Sequence, residues 1–339
     1  MVIEYDDVTF YINEEVLYKI VSKSNTRKGI FIPKKFKDGQ TISRISSHFC
    51  NGGGVYDTIT VDNDISFIED YAFESANVLS VVWPTSCKEI PKGCFLNSRV
   101  ESVTNVENVV CIGPSAFASS LIEHFDWPAG CKMIPDYCFS QSDLKSISNI
   151  ENVTAINQAA FTDCCIESFT VPKNVVKISE RVFAGNTHLH SVELHDNIEV
   201  VEKEAFISTR ITSIVWPQKC PIIPEGCFKD CYNLVCVEIP DSVSCISQKA
   251  FFGAGVHELR WPSQCKVIPE MCFSFSGIKK LSNIDHVEEI QKNAFTSAAS
   301  LHELDLSSST VNNISDDAFD EVPDIKITLP YYCSVELVP

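Results

Sequence analysis

One phenylalanine recurs along almost the whole chain, and this constrains the fold more than any other feature. It stands at Phe49, Phe73, Phe95, Phe117, Phe139, Phe161, Phe183, Phe206, Phe228, Phe251, Phe273, Phe295 and Phe319, in steps of 22 to 24 residues. Five residues before it sits Ile or Val in every unit from Ile68 to Ile314, and the residue just before it is often Ala, as at Ala72, Ala116, Ala160 and Ala205. Between the phenylalanines lie LxxLxL-type segments such as Leu189-x-x-Val192-x-Leu194 and Leu301-x-x-Leu304-x-Leu306. Their alternation reads as a short strand with one buried face. A unit of this length cannot bury its apolar face alone, so the units must stack into a coil. A chain of 339 residues also exceeds what one compact core holds, and a solenoid escapes that limit by growing in one dimension. The expected fold is a leucine-rich repeat solenoid of about 12–13 coils. A parallel sheet forms one face, and short helical or 3₁₀ turns that carry the Phe form the return side.

A longer period is superimposed. The motif Trp-Pro-x-x-Cys-x-x-Ile-Pro-x-x-Cys-Phe spans 83–95, 127–139, 216–228 and 261–273, with Val171-Pro172 as a version lacking Trp and Cys. Some intervening units carry Asn at the Trp register, at Asn105, Asn149 and Asn283. A buried amide there must hydrogen-bond to neighbouring backbone. The ancestral module is therefore a pair of coils. The ends are irregular, as caps are expected to be. Residues 1–29 read as an N-terminal β-hairpin cap, 30–323 as the solenoid, and 324–339 as a C-terminal cap strand and tail.

These residues resemble the BspA-like class of leucine-rich repeats, whose pattern is a strand ending in Ile-Pro, then Val, then Ile-Gly-x-x-Ala-Phe. The run Glu238-Ile239-Pro240-Asp241-Ser242-Val243-Ser244-Cys245-Ile246-Ser247-Gln248-Lys249-Ala250-Phe251 matches it closely, and the resemblance covers about residues 30–330. The Gly after Ile is present only at Gly113. The resemblance implies a surface protein of the kind found in bacteria and anaerobic protists, with a role in adhesion to host proteins or cells.

Charge narrows the partners. With 27 Lys+Arg against 45 Asp+Glu the net charge is −18, and such a chain repels phosphate backbones and anionic membrane surfaces. Nucleic acid is not expected as a partner. No run approaches the ~20 apolar residues of a membrane span, so membrane insertion is not expected either. The stretch Met1–Asp7 is acidic and does not read as a secretory leader. That and the many thiols point to the cytoplasm, while the resemblance points to the cell surface.

Sixteen cysteines invite a disulfide or zinc reading, but their register argues for the core. Cys87, Cys131, Cys220 and Cys265 stand where other units have Val or Ile, and Cys94, Cys138, Cys227 and Cys272 stand where others have Ala. Cys164 and Cys231 take the small position three residues after the Phe. A buried free Cys behaves as a small hydrophobe. The Cys-x₆-Cys spacing fits no common zinc pattern, and His188, His190 and His195 lack further ligands, so no metal or other cofactor is expected. The chain has no P-loop, dinucleotide-binding glycine pattern, nucleophile elbow or HExxH motif.

The expected function is non-catalytic binding of a protein, of host or matrix origin, by a monomer. The expected surface is the strand face, where residues flanking the buried centre of each strand point outward. Its early coils offer Ser and Thr, and its late coils offer both signs of charge at Glu258, Arg260, Lys280, Glu303 and Asp305. Arg is enriched at interface hot spots, which makes Arg260 the leading candidate. Two alternatives stand beside this reading. One is an intracellular scaffold. The other is a carbohydrate-active enzyme, which would need two groove carboxylates from adjacent coils.

Overall fold

The computed structural model describes residues 1–5, 7–23, 28–51 and 53–331. It is a parallel-strand solenoid of about 12 turns. The chain divides into two compact units, Met1–Cys165 and Ile166–Pro339. The tail of the expected C-terminal cap beyond Tyr331, with Cys333, lies outside the described residues, as do 24–27 of the expected N-terminal cap.

The N-terminal unit opens with three antiparallel strands, β1 (Val2–Tyr5), β2 (Val8–Asn13) and β3 (Val16–Ser22). Glu14 and Glu15 make the two-residue turn between β2 and β3, both with positive φ (48° and 65°). That conformation matches the twist of a hairpin, although Asn-Gly is its usual sequence. The hairpin then joins the coils, as β3 pairs in parallel with Arg44–Ile45, and Arg44–Ile45 with Phe67–Ile68.

Each regular coil has three sides. The first is a strand whose central residue is buried and whose flanks face solvent, as in Ser102–Thr104 and His124–Asp126. In the N-terminal unit, Lys28–Ile32, Tyr56–Val61, Val78–Val82 and Ser102–Thr104 form one parallel sheet. In the C-terminal unit, Ser168–Thr170, Ser191–Glu193, Ser213–Val215 and Cys236–Glu238 form another. Because consecutive coils are nearly equal in length, equivalent residues pair, as Val103 with Val81 and Val237 with Ile214. The second side is a two-residue strand whose second residue is the recurrent Ile or Val: Ile90, Ile112 and Ile134 in the first unit, Ile223, Ile246 and Ile268 in the second. All six are buried.

The third side carries the phenylalanine, and here the expectation of helical or 3₁₀ turns is corrected. No helix is present among the described residues, and the Phe sits in an unbroken run of turns. In nearly every coil the residues two before and two after the Phe have positive φ, as Tyr71 and Ser75, Gly93 and Asn97, Ser115 and Ser119, or Arg181 and Gly185. This alternation turns the N–H groups of every second residue to the same side. They therefore bond to the next coil, whereas a helix would return them to its own carbonyls. Tyr71, Phe73 and Ser75 donate to the carbonyls of Lys92, Cys94 and Leu96 at 2.9, 2.8 and 2.8 Å.

The core is a column of rings in each unit. Successive rings from Phe95 to Phe161 are nearly parallel, with centroids 5.2–6.0 Å apart. From Phe183 to Phe319 they are 5.2–5.8 Å apart. Each Trp packs beside the Phe of its own coil at 5.8–6.3 Å. Its indole N–H donates to the carbonyl of the Cys four residues on, at 2.8–3.2 Å. In the coils between, Asn105 and Asn283 donate their side-chain amides to the Trp83 and Trp261 carbonyls at 2.6 and 2.7 Å. The 44-residue period thus alternates a ring that fills the core with an amide that fastens the neighbouring strand end.

Candidate functional site

All five charged residues expected on the strand face are solvent-exposed. Glu258–Arg260 and Lys280–Ser282 are hydrogen-bonded parallel neighbours, with Glu258 opposite Lys280 and Arg260 opposite Ser282. Buried Leu259 and Leu281 hold these strands to the core and force their flanking residues outward. Glu303 and Asp305 stand on a separate pair, Glu303–Asp305 with Lys326–Thr328, where Glu303 meets Lys326 at 3.6 Å. Lys326, read from sequence as part of a cap strand, therefore adds a positive charge to this face.

Arg260 is already engaged. Its guanidinium grips the Asp241 carboxylate at 2.8 and 3.3 Å, and Asp241 also accepts the backbone N–H and hydroxyl of Ser263 at 3.2 and 3.0 Å. The Arg260 hydrogen bond, followed by those from Ser263, lowers the Asp241 carboxyl from its ordinary value to about 2. Arg260 remains 54% exposed, so one side of it still faces solvent. The sequence did not single out Asp241. It lies 19 residues from Arg260, off the repeat period, and only the fold brings the two together. Asp305 is lowered too, chiefly by its hydrogen bond with the Ser307 side chain.

The same face of the N-terminal unit is chemically different. Ser102 donates to Ser80 at 3.0 Å, His124 meets Ser146 at 2.8 Å, and Ser148 donates to Asp126. These are ladders of small groups that satisfy one another.

The ten cysteines assigned to the core by register are all buried, and so is Cys50. Cys111, Cys236 and Cys245 are exposed, Cys165 is half-buried, and all fifteen described cysteines are free thiols. Burial pushes Cys131, Cys164 and Cys265 up to about 12 and Cys231 to about 11, so these thiols stay protonated and inert. His188 and His190 are exposed, and His195 Nε2 meets the Pro172 carbonyl at 3.0 Å.

This architecture has known counterparts. The family model described as "BspA type Leucine rich repeat region (6 copies)" matches residues 34–145, 66–190, 110–235 and 221–334. The chain belongs to the BspA-type leucine-rich repeat family. Among solved structures, a leucine-rich repeat protein from Bacteroides ovatus ATCC 8483 matches at 17% identity and TM-score 0.55, covering 96% of this chain and 94% of that one. Another from Eubacterium ventriosum ATCC 27560 matches at 15% identity and TM-score 0.55, covering 97% and 96%. Both likenesses establish the fold. No curated protein matches the chain at a significant level. The relatives are named for their repeats, not for a reaction, and the family suggests a protein-binding or adhesion role. Among the described residues no helix is long and apolar enough to cross a membrane.

Proposed function

We propose that this protein is a non-catalytic adhesion module that binds a protein partner of host or matrix origin through its strand face. The binding residues are Glu258, Arg260, Lys280, Glu303 and Asp305. In this reading residues 30–323 form the binding solenoid, 1–29 and 324–339 are its caps, and a monomer suffices.

One observation carries the proposal. Glu258 and Lys280 stand opposite each other on hydrogen-bonded strands, and Arg260 projects from the same pair, so both signs of charge occupy fixed, exposed positions. Side chains placed in advance lose little freedom on binding, which favours affinity. Arg also supplies planar hydrogen bonding to carboxylates. The test is binding of the full chain to immobilised collagen, laminin and fibrinogen. Arg260→Ala with Lys280→Ala should weaken binding about tenfold or more while leaving the melting temperature unchanged, because exposed substitutions cost within ~0.5 kcal/mol. Normal binding by this double variant would show that the strand face is the wrong surface.

An intracellular scaffold is the second reading, and the free thiols favour it. Antibody labelling of intact against permeabilised cells separates the two.

A further inference from the structure

Away from the strand face, the C-terminal unit exposes aromatic rings that its fold does not need. Phe275 lies two residues after a ring of the core column, at one of the recurrent positions with positive φ (58°). The same register holds Ser75, Asn97, Ser119, Gln141, Asp163, Gly185, Ser208, Asp230, Gly253, Ser297 and Glu321, and Phe275 is its one aromatic residue. A bulky side chain in that backbone conformation is strained. It is not compensated by burial, since Phe275 is 59% exposed. Its described ring partner is Phe252 of the preceding coil, 5.3 Å away and tilted by 52°. One coil earlier, Tyr232 is 72% exposed and its hydroxyl reaches the Asp230 carboxylate at 3.3 Å.

Beside these residues the coils pack backbone to backbone through Gly253, Gly255 and Gly277. A Cβ at Gly253 would lie 2.7 Å from the Asp230 carboxylate, and one at Gly255 would lie 2.1 Å from the Tyr232 carbonyl oxygen. A Cβ at Gly277 would come within 3.4 Å of the Gly255 carbonyl oxygen and of the His257 ring. The close approach of the coils at these glycines leaves the Phe275 ring standing above the surface, and a strained, exposed ring points to a ligand.

The charges narrow its chemistry. The Lys229 ammonium sits 5.3 Å from the centroid of the Phe252 ring, so a cationic ligand would meet a like charge there. Asp230, which accepts the Tyr232 hydroxyl, repels an anion in the same way. What remains is a neutral ligand with an apolar ring face and hydroxyls at its rim. Aromatic rings accept such a face by stacking, while Lys229, Asp230 and the Tyr232 hydroxyl donate to and accept from the rim.

We infer that Tyr232, Phe252 and Phe275 form a platform that binds neutral hexose rings of a glycan. The site is separate from the strand face and does not depend on it.

The test uses the full chain with maltohexaose, mannohexaose, laminarihexaose and N-acetylchitohexaose, and a heparin hexasaccharide as the charged control. Binding is read by saturation-transfer NMR and calorimetry at millimolar concentration. At least one neutral probe should bind. Phe275→Asn and Tyr232→Thr install residue types found at the same registers in Asn97 and Thr187. Each should weaken binding roughly tenfold. The melting temperature should stay or rise in Phe275→Asn, since Asn tolerates the left-handed conformation. Arg260→Ala with Lys280→Ala should bind glycan normally, which separates this site from the protein-binding face. The inference is overturned if no neutral probe binds, if only heparin binds, or if the variants bind unchanged. It is equally overturned if Phe275→Asn lowers the melting temperature or shifts the oligomeric state, because the ring would then serve stability or self-association.

Discussion

The N-terminal and C-terminal units repeat the same coil and finish it differently. In the first, Phe49 is sealed: its ring is fully buried, and its carbonyl accepts the Ile20 N–H of the hairpin at 2.9 Å. In the second, Phe319 stacks on Phe295 at 5.2 Å and only 2° from parallel, yet it is half-buried. The strand faces diverge as well, into mutually satisfied serine ladders in one unit and exposed charge pairs in the other. A repeat supplies each coil with its neighbours and says nothing about what closes the series or decorates its surface.

The thiols probe what the two units share. Buried cysteines occur in both, Cys50, Cys87, Cys94, Cys131, Cys138 and Cys164 in one and Cys220, Cys227, Cys231, Cys265 and Cys272 in the other. Burial raises their pKa in the fold above the ordinary value of 9.0. Their stabilising contribution is therefore complete below pH 9 and is lost as pH rises toward their raised values in the fold. Each fully shielded thiol should lose about 1.4 kcal/mol per pH unit above 9. With this many such groups, denaturant midpoints should collapse near pH 10 to 11, with probes in both units changing together. A midpoint flat from pH 8 to 11 would mean the thiols are not shielded.

The column should show its open end in calorimetric melts. Phe161→Ala removes a fully buried ring and should cost about 3–5 kcal/mol. Position in the repeat suggests a discount near either end, but the hairpin over Phe49 cancels it there, so Phe49→Ala should cost about as much as Phe161→Ala. Phe319→Ala should cost less, about 1–2 kcal/mol, because that ring is only partly buried. Equal losses at Phe161 and Phe319 would break the contrast between a sealed and an open end.

Two glycines in the same register sharpen the comparison further. Gly93 and Gly226 both stand two residues before the Phe, with φ of +57° and +59°. A Cβ on Gly93 would lie 2.3 Å from the Tyr71 ring, whereas on Gly226 its nearest neighbour is the flexible Glu204 Cγ at 3.2 Å. Gly93→Ala should therefore cost about 2–3 kcal/mol and Gly226→Ala about 1 kcal/mol. The smallest effect belongs to Asp241. Its lowered carboxyl gives a contribution present above pH 4 and lost as pH falls toward 2. Carboxyl NMR titration should place its midpoint near 2, returning toward 3.8 in Arg260→Ala.

The solenoid, its 22-residue step, the Phe column, the buried Cys registers and the outward charges of the late strands were all legible in the sequence. Each follows from periodicity, because stacking nearly equal coils turns a sequence register into a spatial column. Other features were not legible, for reasons that are equally physical. The return side, too short around each Phe for a long helix, reads as a short helical or 3₁₀ turn. Whether its N–H groups turn back on themselves or reach the next coil depends on a neighbour that local propensity does not contain. Asp241 captures Arg260 across 19 residues, a separation outside any repeat count, so the fold alone determined how free the leading binding residue is. Phe275 is one more phenylalanine in a chain of 21. Only its positive φ, its exposure and the close-packed glycine backbone beside it set it apart, and all three are properties of the folded chain.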